Sequence, residues 1–553
     1  MIRRLKNGLA LVGRLLGGGS DDSARSYDPL VGALFRRLVE NNGFRLWPGD
    51  RPENWGVAED LRWSCGVEWI GQNQTGLSGL NLCQQELTGL VELGGLEDVE
   101  RVFLSQNNLN GLIMGDNFRL KELHASGNRL VRLDLSGAPA LTELDVTNNQ
   151  LVEINLSRST ELVTVCVSHN RLMSLDLSKA HKLKRLVADT NQLDSLALNH
   201  CPHLTYLAVY ENRLTELDLR YNPRLETLSA SDNELTGLDL SRNPELAYLN
   251  LYNTNLSELD LSFNPKLWYL VASGNHLAHL DLAHQKSLTH LVVSGNTLSG
   301  LDIGHSRDLR TLDVADNQIE HLEVVYNQNL WYIYAALNRL SELNVAGNPQ
   351  LLILDVTENR LRELDIRRNI KLQRLYAAGN RLRRLDFSRN EALERVFVGG
   401  NPIEELEFGN NKLTALRELD LSGCRLPLSA LAPLVGRGTD MTVLGPQSRV
   451  FFDHEVLILN PDRLEAALDL SAEATIGGTP TVFTVLDLQK QPVPPEIHSQ
   501  SGGLITFKRK GRYQVMMTNP RVTSHSSGET EDVKVYTGWV DVREPEEAEE
   551  KVD

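Results

Sequence analysis

Apolar residues along most of this chain recur in a pattern too long for a single helical face or a simple strand. From about residue 77 to about 430 the sequence reads LxxLxVxxNxLxxLDLSxN and repeats every 21 residues. An asparagine marks each repeat. Asn107, Asn128, Asn149, Asn170, Asn191, Asn212 and Asn233 hold the interval, Thr254 takes one place, and Asn275, Asn296, Asn317, Asn338, Asn359, Asn380 and Asn401 resume it. A fixed period of this length predicts a solenoid, in which each unit buries its apolar face only against its neighbours. Leucines at the first, fourth and sixth positions point inward, and the alternation around them predicts a short strand. The repeated asparagine is suited to bonding backbone groups where the chain bends inside the core.

The second half of each unit carries its own signals. An acid follows the leucine at Asp134, Asp176, Asp218, Asp239, Asp260, Asp281, Asp302, Glu323, Asp365 and Asp386. The favoured role is to cap a local turn by bonding backbone amides; a weak calcium-binding edge is the sharper alternative. Asn222-Pro223, Asn243-Pro244, Asn264-Pro265 and Asn348-Pro349 read as the outer turn.

The pattern divides the chain into five stretches: 1–26, 27–76, 77–434, 445–543 and 544–553. In the first, Ile2, Leu5, Leu9, Val12 and Leu16 recur at helical spacing with basic residues mostly elsewhere on the wheel. That is a basic amphipathic helix, with residues 1–16 suited to peripheral contact with an anionic membrane. Arg14 breaks the apolar core that an export signal needs. Residues 27–76 carry a helical stripe (Leu30, Leu34, Leu38, Val39) and then Trp47, Trp55, Trp63 and Trp69, a dense set expected to plug the open end of the solenoid. Residues 445–543 hold seven short apolar runs, which predict an antiparallel sandwich. The last stretch is an acidic tail.

Composition narrows the function. The net charge is -17, which argues against a dedicated nucleic-acid binder. Five scattered cysteines (Cys65, Cys83, Cys166, Cys201, Cys424) make a poor disulfide framework. No apolar run reaches the ~20 residues that span a bilayer.

The 21-residue unit resembles bacterial leucine-rich repeats of the internalin and Bacteroidetes surface-protein type, over about residues 77–430. Residues 27–76 resemble the N-terminal caps of plant and bacterial leucine-rich repeat proteins, through Asn54-Trp55 and Cys65-Gly66-Val67. Gly511-Arg512-Tyr513-Gln514-Val515 resembles the tyrosine corner of immunoglobulin-like domains. The resemblance implies a β-rich α/β-solenoid: a curved array with an N-terminal cap and a C-terminal β-sandwich. It also implies adhesion or protein–protein contact at a cell surface or in secreted form. The lack of a clean signal peptide leaves a cytoplasmic place as the alternative.

A ligand would sit on the concave face, where strand residues six, four and two places before each asparagine project outward. These positions hold Tyr206, Tyr210, Tyr248, Tyr252, Tyr269, Tyr332, Tyr334, Tyr376 and Phe397, with Trp268 and Trp331 beside them. Leucine already fills the core positions, so these aromatics either stack to stabilise the sheet or form a binding surface. Early turns present Glu122, His124, Glu143 and Asp145, and late turns Arg374 and Arg395. The expected partner is a protein with complementary charge, with a glycan as the alternative ligand and the oligomeric state open.

Chemistry offers less. His181, His200, Cys201 and His203 fall near one edge of two turns, without zinc-ligand spacing. No nucleophile, base and acid can be placed together. The expectation is a protein without catalytic residues, metal or cofactor. Its function is non-enzymatic partner binding, adhesive at a bacterial surface, or else as an intracellular scaffold or toxin-neutralising protein.

Overall fold

The computed structural model describes residues 66–70, 76–94, 96, 98–427, 429–430, 442–444, 447–458 and 465–544, apart from 477, 521, 522, 527, 528 and 533. The amphipathic segment, the stripe from Leu30 to Val39, Trp47, Trp55 and Trp63 lie outside the described residues. The chain forms two compact units, one up to Gln285 and one from Lys286.

In the first unit a three-residue strand recurs once per repeat, from Arg101–Phe103 to Tyr269–Val271. Each pairs in parallel with the next and in strict register, as in Leu186↔Leu207, Leu207↔Leu228 and Leu228↔Leu249. The middle residue of these strands is a buried leucine, or valine at Val102 and Val165, and Leu204, Val209 and Leu214 of the turn that holds Leu207 are fully buried as well. Burying a leucine side chain stabilises by roughly 1.5–3 kcal/mol, so each turn gains a core only from the turns beside it. At the start, Gly66–Ile70 pairs antiparallel with Gly76–Asn81 and covers what would be an open sheet edge. Trp69 lies in the first of these two strands.

The marker asparagines do what their spacing predicts. Asn212 is buried, accepts from the Leu193 amide at 2.9 Å and donates to the Ala188 and Val209 carbonyls at 3.0 and 3.1 Å. Thr254 keeps part of this role: its hydroxyl donates to the Leu251 carbonyl at 3.0 Å, and its amide to Asn275 Oδ1 at 3.2 Å. The residue before each marker turns through a left-handed backbone, as at Glu211 (φ 54) and Gly274 (φ 67).

The asparagines of the asparagine-proline pairs are not surface turn residues. Asn222, Asn243 and Asn264 are completely buried and form a second ladder. Asn243 Nδ2 donates to the Leu219 carbonyl at 3.1 Å and the Asn222 carbonyl at 2.9 Å, and Asn264 repeats the arrangement one turn on. The prolines mark the exposed turn; the side chain before them folds inward to give a second donor to two carbonyls that each already accept a backbone amide, as Leu219 does from Asn222 and Asn222 from Leu225. The regular acids cap turns as expected: Asp134, Asp176, Asp239 and Asp260 each accept from the amide two residues on at 2.9 Å.

The second unit repeats this plan from His290–Val292 to Glu418–Asp420, and Thr442–Leu444 adds a further parallel strand. Asn327, Asn348, Asn369 and Asn390 continue the buried second ladder there. The remainder forms a four-stranded sheet (Gln447–Ile458, Val535–Arg543, Gly511–Thr518, Val482–Leu486) and a three-stranded one (Ala466–Asp469, Leu504–Phe507, His498–Ser501). The two meet where Phe507 stacks on Tyr513, ring centroids 5.0 Å apart. The expected all-antiparallel pairing fails at one place, since Gln447–Ile458 runs parallel to Val535–Arg543. Tyr513 hydroxyl reaches back to the Arg509 and Lys510 carbonyls, each at 3.3 Å. Glu473, only 1% exposed, accepts from the Ser429 amide at 2.6 Å and from its hydroxyl, joining the last turns to these sheets.

Candidate binding surface

A three-residue strand with its middle side chain in the core must turn the two flanking side chains outward. The aromatics follow this rule. Tyr206, Tyr210, Tyr248 and Tyr269 are half-buried on the outer side of the sheet, and Tyr252 (46%) and Trp268 (43%) are exposed. Leucines lie behind them, so the tyrosines take no part in the core.

In the first unit these residues form a sequence of large, small, large. Tyr206 pairs with Thr227 and Thr227 with Tyr248. Thr227, Ser229 and Ser231 occupy the three outward positions of the middle turn, and the sheet surface sinks there. The result is an open cleft of about 770 Å³, walled by Tyr206, Tyr210, Tyr248 and Trp268. Glu211, Glu226 and Asp232 stand at its margin. Tyr252 and Tyr269 do not line it. Tyr269 instead stacks on the far side of Tyr248 at 4.5 Å, with Trp268 edge-on to it at 5.5 Å. Arg185 lies over Tyr206, its guanidinium carbon 3.7 Å from the ring centroid. Burial, and then the neighbouring Asp189 carboxylate, push Tyr210 up to about 12. Tyr248 is raised as well, first by burial and then by Tyr269.

The cleft-making residues Thr227, Ser229 and Ser231 are small and polar, so no single repeat marks them as part of a binding surface. A signal was present: three small polar residues fill all outward positions of one turn between two tyrosine-bearing turns.

In the second unit Tyr334 and Tyr376 flank Asp355 in one row, and Tyr376 stacks on Phe397 at 5.3 Å with planes 13° apart. Trp331 (39% exposed) carries the Arg310 guanidinium 5.2 Å from its ring and stands edge-on to Tyr332 at 6.5 Å. Arg374 and Arg395 are cross-strand partners, and Arg395 pairs with Glu418 at 3.2 Å.

A family model described as a leucine-rich repeat matches residues 252–265 and 305–322. No curated protein matches the chain. Among solved structures, YopM from Yersinia enterocolitica WA-314 is 30% identical, over 63% of this chain and 79% of that one, with a TM-score of 0.52. The chain belongs to the leucine-rich repeat family.

Two further structures share the leucine-rich repeat fold alone. The functional domain of InlJ from Listeria monocytogenes, whose description includes a cysteine ladder, is 23% identical, covers 84% of this chain and 91% of its own, and has a TM-score of 0.62. The plant peptide hormone receptor RGFR1, solved in complex with RGF2, is 22% identical, covers 68% and 72%, and has a TM-score of 0.58.

The remaining clusters of this leucine-rich repeat chain have simpler accounts. His181 and His200 meet edge-on at 5.9 Å, but Cys201 beside them is fully buried, and burial pushes its thiol up to about 11. It belongs to the core, at the register of the second ladder, and not to a ligand set with the histidines. Glu122, His124 and Glu143 bring one ligand atom each to within 4.8 Å of one another. His124 Nε2 lies 3.8 Å from Glu143, and Asp145 approaches its other nitrogen at 4.0 Å. Among the described residues no helix is long and apolar enough to cross a membrane.

Proposed function

We propose that this leucine-rich repeat protein is a non-enzymatic binding protein that holds a partner protein on the outward face of its parallel strands. The observation that carries the reading is the cleft between Tyr206 and Tyr248. Its walls are aromatic, its floor is small and polar, and its rim is charged, the composition of a contact surface rather than of a core. Tyrosine and tryptophan bury large areas at low entropic cost, so Tyr206, Tyr210, Tyr248 and Trp268 are the anchors. Tyr252, Tyr269, Tyr332, Tyr334, Tyr376, Phe397, Trp331, Arg374 and Arg395 extend the surface in their own units. The complex of RGFR1 with RGF2 supports a polypeptide ligand by analogy of fold. The resemblance of the 21-residue unit to internalin-type repeats is the ground for an adhesive role at a bacterial surface. The C-terminal sheets read as an immunoglobulin-like spacer, on the strength of the Tyr513 contacts to Arg509 and Lys510.

The test is capture of partner from host and bacterial lysates by the full chain and by a variant with Tyr206, Tyr210, Tyr248 and Tyr252 replaced by alanine. The variant should keep its circular dichroism spectrum and lose capture. Equal capture by both proteins would remove the assigned face, and recovery of the native protein from the cytosol alone would remove the adhesive role.

A further inference from the structure

We infer that the cleft of the first unit takes an arginine side chain presented by the partner, held between the faces of Tyr206 and Tyr248. This rests on the reading of the outward face as a binding surface and names the chemistry of its central contact.

Ring orientation is the first argument. Tyr269 stacks on Tyr248 with planes 7° apart, so the Tyr248 ring faces along the direction in which strands follow one another. Arg185 lies over Tyr206 from the preceding strand, so that ring faces the same way. Each tyrosine therefore has one face covered by its outer neighbour and one turned toward Thr227. The two rings stand two strands apart, roughly 9.5 Å at the usual spacing. A planar group between two rings needs about 7–8 Å, twice a carbon contact distance. Thr227, the only side chain of its row between them, is short enough to leave that room.

Charge is the second argument. Glu211, Glu226 and Asp232 border the cleft, and no lysine or arginine lines it. Glu211 accepts from the Thr190 hydroxyl at 3.2 Å and Asp232 from the Asn253 amide nitrogen at 2.9 Å, both neutral donors. No cation pairs with any of the three among the described residues. Carboxylates gathered beside aromatic faces favour a cation, and a guanidinium is flat, weakly hydrated and able to fork to a carboxylate. The molecule already makes a contact of this kind at the same ring, where Arg185 stacks on Tyr206.

The probe is a blocked tripeptide, acetyl-Ala-Arg-Ala-amide, titrated against the full chain and followed by saturation-transfer NMR and intrinsic tryptophan fluorescence. The citrulline tripeptide, a neutral isostere, the lysine tripeptide and a neutral disaccharide serve as comparisons. The arginine peptide should bind best, and citrulline about tenfold or more weakly, as for loss of a charge-assisted contact. Glu226→Gln with Asp232→Asn should bring arginine down to the citrulline level, and Tyr326→Ala, an exposed tyrosine of the other unit outside the proposed surface, should change nothing. Equal binding of citrulline, binding of the disaccharide alone, or full arginine binding by the double carboxamide variant would each overturn the inference. So would no binding of arginine by a chain that still loses partner capture on Tyr206→Ala and Tyr248→Ala, and in that case the binding face itself would stand.

Discussion

Tyr248 and Tyr269 lie in register on adjacent strands, with ring centroids 4.5 Å apart and planes 7° from parallel. One ring lines the cleft and the other supports it from behind. The pair therefore separates two roles that an aromatic on a sheet can have, stabilising its neighbour and meeting a ligand.

Tyr269→Ala should cost about 0.5–1.5 kcal/mol of stability, the worth of one aromatic pair beyond its area. Tyr248→Ala should cost a similar amount, and the double variant less than the sum, because the shared stack is lost only once. Ligand binding should fall much further for Tyr248→Ala than for Tyr269→Ala. Urea midpoints of the four proteins, with partner binding on the same samples, check this; equal binding losses would place both rings in a purely structural role.

The two asparagine ladders should differ in strength. Asn212 both donates and accepts, and Asn212→Ala orphans the buried Leu193 amide. Asn243 donates to two carbonyls, and its own oxygen has no partner among the described residues. An orphaned buried amide costs about 1–3 kcal/mol, whereas a carbonyl that loses one donor is more tolerant. Asn212→Ala should therefore destabilise more than Asn243→Ala by that margin. Denaturation midpoints in the reverse order would show that the second ladder, not the first, governs the stack.

Acid should weaken the second unit through Asp365. Hydrogen bonds from the Arg367 guanidinium, Nε to Oδ1 at 2.9 Å and Nη2 to Oδ2 at 2.8 Å, hold this carboxyl at about 2 against an ordinary 3.8. A carboxyl with a depressed folded pKa lends stability that is complete above its unfolded pKa and is lost as pH falls toward the folded one. Asp365→Asn should lower stability at neutral pH and flatten its slope between about pH 4 and pH 2. Parallel stability curves for variant and parent over that window would rule the contribution out. The pair is largely exposed, so the effect is small and should shrink in high salt.

Glu473 is the joint between the last turns and the C-terminal sheets. Glu473→Ala removes both acceptors of Ser429. The loss should be about 1–3 kcal/mol, with proteolysis of the full chain appearing at lower protease concentration. An unchanged digestion pattern would mean that other contacts fix the junction.

The leucine period alone determined the solenoid, the inward leucines and the outward tyrosines. A repeat has only nearest neighbours to bury against, so one unit's pattern dictates every unit's packing. The role of Asn107 and its successors followed for the same reason, as did the turn-capping of Asp134 and Asp239. Only the tertiary structure showed that Asn222, Asn243 and Asn264 turn inward. Proline next to asparagine signals a bend in either case, and the inward direction of the side chain depends on how the preceding turn places its carbonyls within reach, as Leu219 and Asn222 are for Asn243. The cleft was likewise invisible in any single repeat. It exists because Thr227 is small while Tyr206 and Tyr248, 21 places before and after it, are large, a height difference that appears only when turns lie side by side.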